Sequence, residues 1–329
     1  MRVLIIGGTG NFSGRITERV ADAGYEVALY NRGQRPLPFG VKAMQIQGQR
    51  DEIASHADEI AAFAPQAVID SICYLPEQAQ QLVDLFPDVE RVILISSVDA
   101  YGENIGAAPV TEDREPAPVS DYGKNKLACE QVLFGAFGDR ATAFRPSHIL
   151  GRGFLTTSLW SRNPYLVDRI RSGLPVPAID GGRNLMTPIY AGDAAEWITR
   201  ALSSDAAAGQ VFNTVGGEII PQSRYYEAVA RALDAELRLV AVPSHVFRRV
   251  FDRPPQFNWH RPYSCAKAAE RLGYAPRFTP EMMVAETVAY MLERGLVRDH
   301  AEDPFDDRLV ELLLRHEAEL EALLRQKAG

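Results

Sequence analysis

Val3-Leu4-Ile5-Ile6-Gly7-Gly8-Thr9-Gly10-Asn11-Phe12-Ser13-Gly14 runs from four branched apolar residues through a glycine-rich turn into the start of a helical pattern. An unbroken apolar run of this length predicts a strand buried on both faces. The glycines permit a tight turn and a close approach of the backbone. A helix N-terminus directly behind them offers free N–H groups and the positive end of a dipole to an anion. Strand, glycine turn and helix together are the context that a dinucleotide-binding fingerprint requires. Gly7, Gly10, Asn11, Phe12 and Ser13 are its candidate contacts, with Ser13 in the slot that usually holds a third glycine and Gly14 beside it.

Outward from this stretch, short Val/Ile-rich runs at 27–30, 43–46, 67–69 and 92–95 alternate with helical patterns near 16–23, 51–63, 77–85 and 122–134. That alternation predicts right-handed βαβ units and an α/β fold of Rossmann type, a doubly wound parallel sheet. Ligands then gather at the carboxyl ends of the strands. After Leu150 the alternation loosens and Pro and Gly become frequent. The division expected is a cofactor-binding domain over 1–150 to which 187–216 returns, with a smaller substrate-binding part over 151–186 and 217–329 that ends in an amphipathic helix.

The chain has 329 residues, 46% of them hydrophobic, and a formal charge of −8 with no basic arm. Nucleic acid is thereby an improbable partner. The first apolar run stops at Gly7-Gly8, too short for a signal peptide or a membrane span. Cys73, Cys129 and Cys265 are widely spaced, odd in number and without C-x-x-C pairing, as in a reduced cytoplasmic protein. The six histidines never fall at a ligand spacing, so no metal site is expected.

Further along, Ser120-Asp121-Tyr122-Gly123-Lys124-Asn125-Lys126 carries a Tyr-x-x-x-Lys pair downstream of Ser97. Residues four apart share a helix face, and an ammonium beside a phenol favours the phenolate, bringing Tyr122 toward acid/base work near neutral pH. At the end of the second strand, Tyr30-Asn31-Arg32-Gly33 has no carboxylate where a 2′-hydroxyl would be bound, and Arg35 is close by. A carboxylate would repel a 2′-phosphate and arginine attracts it, so of NADP or NAD the former is favoured.

With these residues, the chain resembles the extended short-chain dehydrogenase/reductases, the NAD(P)-dependent epimerase/dehydratase family. The resemblance rests on Gly7-Gly8-Thr9-Gly10, Ser96-Ser97-Val98-Asp99-Ala100-Tyr101-Gly102, Tyr122-x-x-x-Lys126, Arg145-Pro146-Ser147-His148-Ile149-Leu150-Gly151, Pro188-Ile189-Tyr190-Ala191-Gly192-Asp193 and Val211-Phe212-Asn213. It implies Tyr122 as general acid/base, Lys126 on the nicotinamide ribose, and Ser97 as donor to the substrate oxygen. It also implies Ile72, Cys73 and Pro146 against the cofactor, and a homodimer through the helix of Tyr122. Tyr74, Asp99, His148 and Arg152 are the substrate-binding candidates it suggests; His148 equally suits a supporting role, and Asp99 a structural one.

Departures narrow what the resemblance implies. Val98 and Asp99 stand where sugar-nucleotide dehydratases of this family place an Asp-Glu pair, which disfavours dehydration. Met186 fills the slot of an arginine that holds a substrate diphosphate in many epimerases, leaving Arg183, Arg253 or Arg261 as substitutes. Asp70-Ser71-Ile72-Cys73-Tyr74 replaces the family's H-L-A-A segment. The activity implied is an NAD(P)-dependent oxidoreductase or epimerase moving hydride to or from a secondary alcohol or ketone carbon of a sugar-like substrate, with or without a nucleotide diphosphate. The competing expectation is a non-catalytic NAD(P)-binding regulatory or RNA-binding member.

Overall fold

A computed structural model describes residues 1–328 except 39, 105, 161 and 252–258. The candidate Arg253 lies outside the described residues. In chain order the first elements are β1 (Arg2–Ile6), α1 (Asn11–Asp22), β2 (Glu26–Asn31), β3 (Met44–Gln47), α2 (Ala57–Phe63), β4 (Ala67–Asp70), α3 (Pro76–Leu85) and β5 (Arg91–Ile95). Next come α4 (Asp121–Phe137), β6 (Ala141–Pro146), β7 (Ile149–Leu150), α5 (Leu166–Arg171), β8 (Val176–Ile179), β9 (Leu185–Met186) and β10 (Ile189–Tyr190). The remainder are α6 (Ala191–Ala201), β11 (Val211–Thr214), β12 (Ile220–Pro221), α7 (Gln222–Ala232), β13 (Leu239–Val242), α8 (Ser244–Val250), α9 (Ala266–Arg271), α10 (Pro280–Glu293) and α11 (Phe305–Ala328).

The chain divides into two compact units. The first comprises Met1–Ile149, Thr187–Gly217 and Pro262–Phe278. Its sheet runs β11-β6-β5-β4-β1-β2-β3, and every pairing is parallel. The winding reverses between β1 and β4, which makes their carboxyl ends the switch point of a Rossmann-type fold. Because side chains alternate across a strand, Val3 and Ile5 enter the core on one face with α1, α6 and α9. Leu4 and Ile6 enter the core on the other with α2, α3 and α4. Both faces are covered, which is why these strands read as continuous apolar runs and not as alternating ones.

Three features differ from the sequence expectation. β6 carries Thr142 and Arg145, which interrupt its apolar run, yet all six of its residues are buried. The segment expected as one helix over 51–63 begins instead as a 3-10 stretch, Arg50–His56, before α2. Pro262–Phe278 joins the first unit and not the substrate-binding part. Its physical cause is buried Asp193 on α6, whose carboxylate accepts hydrogen bonds from Tyr274 Oη at 2.5 Å and from the N–H groups of Arg277 and Phe278 at 3.0 and 3.1 Å.

The second unit comprises Leu150–Met186, Glu218–Arg261 and Thr279–Gly329. It holds a parallel β8/β13 pair and an antiparallel β9/β12 pair. Leu159, Ile179, Val242 and Phe247 form a core there, against which Leu309 and Leu313 of α11 pack. Asp168, Asp299 and His300 also cluster, with ligand-type atoms within 4.8 Å of one another. Their contacts are those of an ion-pair group: Arg171 and His300 both donate to the Asp168 carboxylate. Among the described residues no helix is long and apolar enough to cross a membrane.

Candidate functional site

At the end of β1, Gly7 adopts φ +102° and a Cβ there would lie 2.3 Å from Ser71 Oγ. Only glycine allows the two loops of the switch point to meet this closely. The turn is braced from inside. Gly10 N–H donates to Ser13 Oγ at 3.0 Å, and Thr17 Oγ1 donates to Gly8 O at 2.9 Å. Ser13 in the third-glycine slot therefore closes the turn with its hydroxyl. Asn31, 9% exposed, donates from Nδ2 to Gly7 O at 2.9 Å and accepts Gly33 N–H on Oδ1 at 2.8 Å. It ties the end of β2 to the glycine turn.

Two observations test whether this turn fits a dinucleotide. Asn11 Oδ1, at the first residue of α1, is buried without a hydrogen-bond partner, and an orphaned polar atom of this kind costs about 1–3 kcal/mol unless a ligand satisfies it. Arg32 and Arg35 are exposed just beyond β2, with no hydrogen bond or ion pair to the described residues. Phe12, the second residue of α1, is half-buried against the core. The residues present at this turn fit a dinucleotide.

At the ends of β4 and β5 the chain assembles a second group. Buried Asp70 pairs with Arg50 at 2.8 Å and accepts Ile72 N–H at 2.9 Å on its other oxygen. Burial pushes its carboxyl up, opposed by the Arg50 charge. Cys73 follows, fully buried, and Tyr74 is 46% exposed. Beyond β5, Ser97 caps the 3-10 turn Val98–Tyr101, its Oγ accepting Asp99 N–H at 3.1 Å. Its own O–H has no partner among the described residues. α4 starts at Asp121 under a Ser120 cap, and Gly123 lets its first turn rest on this capped turn: a Cβ at 123 would lie 2.5 Å from Asp99 O. Tyr122 is thus delivered beside the Ser97 turn, 40% exposed.

Lys126, one turn later, is 1% exposed. Its Nζ donates to Cys73 O at 2.7 Å and to Ile95 O at 2.8 Å, joining the β4 and β5 ends. It lies 4.6 Å from the Tyr74 ring centre and 5.8 Å from that of Tyr122. Burial pushes this ammonium down from the ordinary lysine range. Pro146, buried, ends β6, and His148 follows half-buried, its carbonyl accepting Ile189 N–H at 2.9 Å. Ser97, Tyr122, Lys126, Ile72, Cys73, Tyr74 and Asp99 are brought together at the carboxyl end of the sheet. Arg152 is exposed in the second unit, where Met186 is buried in β9.

Residues 3–214 match the NAD dependent epimerase/dehydratase family. The chain belongs to that family. A 2'-dehydrokanamycin reductase of Streptomyces kanamyceticus is 29% identical over 249 residues, covering 74% of this chain and 70% of that protein. A chloroplast stem-loop binding protein of 41 kDa from Arabidopsis thaliana is 25% identical over 333 residues, covering 94% and 84%. The UDP-glucose 4-epimerase of Thermus thermophilus, solved with NAD, superposes with a TM-score of 0.71 at 20% identity over 89% of this chain and 99% of that one. That likeness establishes the fold. The proteins to which this chain is similar also include dTDP-glucose 4,6-dehydratases.

Sequence reasoning missed the polar frame under this epimerase/dehydratase-family site. Glu130 on α4 takes two hydrogen bonds from buried Arg145, at 2.9 and 2.6 Å, and one from Ser96 Oγ at 2.5 Å. Arg145 also lies 4.6 Å over the Tyr101 ring, and Tyr101 Oη donates to Asn213 Oδ1 at 2.8 Å. Arg145 and Asn213 lie in the motifs that carry the family resemblance, which assigns neither of them a role. Two further charged residues inside apolar segments, Asp70 and Glu130, were the available signal, since a fully buried charge is retained only with a partner.

Proposed function

We propose that the protein is an NAD(P)-dependent oxidoreductase or epimerase acting at a secondary alcohol or ketone carbon of a sugar-like substrate. The observation that carries this reading is the exposed Tyr122 phenol set beside a buried Lys126 ammonium, 5.8 Å from ring centre to Nζ. When bound, a nicotinamide would supply or accept the hydride. Loss of hydride from an alcohol carbon requires loss of the hydroxyl proton, and Tyr122 takes that proton, returning it to the oxygen in the reverse direction. Ser97 donates its uncommitted O–H to the same oxygen while Asp99 N–H fixes its rotamer. Lys126 favours the ionised phenol through its charge.

The reductase relative, named for a reduction, supports reading the hydride as delivered to a ketone. Apolar Met186 offers no charge to a diphosphate, so free sugar-like ketones stand ahead of nucleotide sugars. The Arabidopsis relative is named for stem-loop binding, but retention of Ser97, Tyr122 and Lys126 and a charge of −8 weigh here for catalysis. A homodimer through the helix of Tyr122, α4, belongs to the same reading; light scattering would return twice the 36.4 kDa of one chain.

NADP is the preferred cofactor on this reading, held through Arg32 and Arg35. A charge-assisted contact to a 2′-phosphate contributes about 1.5–3 kcal/mol. Arg32→Ala is therefore expected to weaken NADP by about tenfold or more and NAD by less than about twofold, read by calorimetric titration of both. Equal losses for the two cofactors would refute the 2′-phosphate role.

The test of the function is a screen of free sugars, aminoglycoside ketones and nucleotide sugars at the reduced-nicotinamide absorbance band. Retained cofactor without net absorbance change, together with a stereochemically altered product, identifies an epimerase. Net change identifies a dehydrogenase or reductase.

A further inference from the structure

The contacts of the Lys126 ammonium do not balance its charge with any carboxylate. Among the described residues it forms no ion pair, and the carboxylates nearest it are held by other partners. Asp70, at the end of β4, is held by Arg50. Glu130, on α4 itself, is held by Arg145. The Cys73 and Cys129 thiols and the Tyr74 and Tyr122 phenols complete its surroundings. An ammonium has three donors, and two of them go to carbonyls of the β4 and β5 ends. Beside these carbonyls lies the face of Tyr74, whose ring centre is 4.6 Å from Nζ and is the nearer of the two aromatic rings.

That ring is placed by its backbone. Tyr74 N–H donates to Gln78 Oε1 at 2.7 Å and Leu75 N–H donates to the same oxygen at 3.2 Å, so a buried glutamine in the first turns of α3 fixes the loop. The Tyr122 ring stands 6.4 Å away at 43°, outside the path between Tyr74 and Nζ.

We propose that the Tyr74 ring is a cation–π cap on the Lys126 ammonium, one that keeps this buried side chain charged beside Tyr122 without taking up its remaining donor. Tyr74 is thus a positioning residue that acts on Tyr122 chemistry through Lys126, and its relevance to turnover rests on the proposed function above. An aromatic face gives a desolvated ammonium one of the stronger contacts open to it short of a counter-ion. Burial already pushes Lys126 down, so removal of the face pushes it further in the same direction. At neutral pH a less stable ammonium weakens the bias of Tyr122 toward phenolate.

The chain has five lysines, Lys42, Lys124, Lys126, Lys267 and Lys327, few enough to follow individually by NMR of ¹³Cε-lysine-labelled protein across a pH titration. Lys126 is assigned by the signal missing in Lys126→Met. Relative to wild type, Tyr74→Leu and Tyr74→Met are each expected to lower the Lys126 titration midpoint by about one pH unit or more. Tyr74→Phe, which keeps the ring face and loses only the hydroxyl, is expected to leave it within about 0.3 unit. An unchanged midpoint in Tyr74→Leu overturns the cap, as does an equal shift in Tyr74→Phe. A loss of fold is not the expected confounder, since Tyr74 is 46% exposed, and the second aliphatic variant guards against it. No cofactor or substrate enters the measurement, so failure of the cap and failure of the catalytic reading appear in different experiments.

Discussion

Tyr122→Phe is expected to lower turnover by about 10²- to 10⁴-fold while leaving dinucleotide affinity within about twofold. The substitution removes one O–H and retains the ring, so the aromatic contacts of Tyr122 with Tyr74 at 6.4 Å and Lys126 at 5.8 Å persist. Hydride transfer from an alcohol would then strand the hydroxyl proton, and transfer to a ketone would leave an alkoxide with no acid. On the proposed reading cofactor affinity rests on the glycine turn and the residues beyond β2, so it should not follow. The same experiment on Lys126 is less clean. Removal of that ammonium would orphan two buried carbonyls, Cys73 O and Ile95 O, and mix a stability loss with a chemical one. Parallel measurements of kcat and of cofactor Kd decide the matter; full turnover in Tyr122→Phe would overturn the assignment.

Glu130→Ala should produce the largest stability change in the first unit. The Glu130 and Arg145 side chains are each 4% exposed, and they meet at 2.6 Å. Although burial opposes it, the Glu130 hydrogen bonds and charge hold the Arg145 guanidinium above its ordinary range. Truncating the acid leaves that guanidinium buried without a counter-charge and Ser96 Oγ without an acceptor. Breaking one side of a buried pair costs about 3–5 kcal/mol. Replacing both partners, as in Glu130→Leu with Arg145→Met, should cost less than the single change, because no uncompensated charge remains. Denaturant midpoints of the three proteins test this ordering, and a double variant worse than Glu130→Ala would contradict it. Activity should fall as well, since Glu130 bolts α4, with Tyr122 and Lys126 on it, to the ends of β5 and β6.

The strands of the first unit were legible because both sheet faces are covered: the sequence there is continuously apolar, and glycine or a polar residue marks each end. The glycine turn was legible for the same local reason. β6 was not, because Arg145 and Thr142 break the apolar run, and their burial depends on Glu130 fifteen positions upstream and on Ala207 O across the fold. Return of 262–278 to the first unit could not be read from composition, since what draws it in is Asp193, a residue roughly eighty positions earlier, in need of donors. Asn31 shows a subtler limit. Its amide holds Gly7 and Gly33, a pairing between loop ends that spacing alone does not reveal. Tyr74, Tyr122 and Lys126 were each visible as residue types; the order in which they stack became visible only with the loop after β4 in place.

The central claim is that Tyr122, supported by Lys126 and Ser97, moves the proton that accompanies nicotinamide hydride transfer. Its most direct test uses cofactor deuterated at the transferable nicotinamide position, incubated with the screened sugar-like ketones and wild-type or Tyr122→Phe protein, with mass spectrometry of the products. The account predicts deuterium on a secondary alcohol carbon of at least one product with the wild type and a loss of that label by about 10²-fold or more with the variant. Equal label from both proteins, or none from a wild type with saturated cofactor across all three substrate classes, would contradict it.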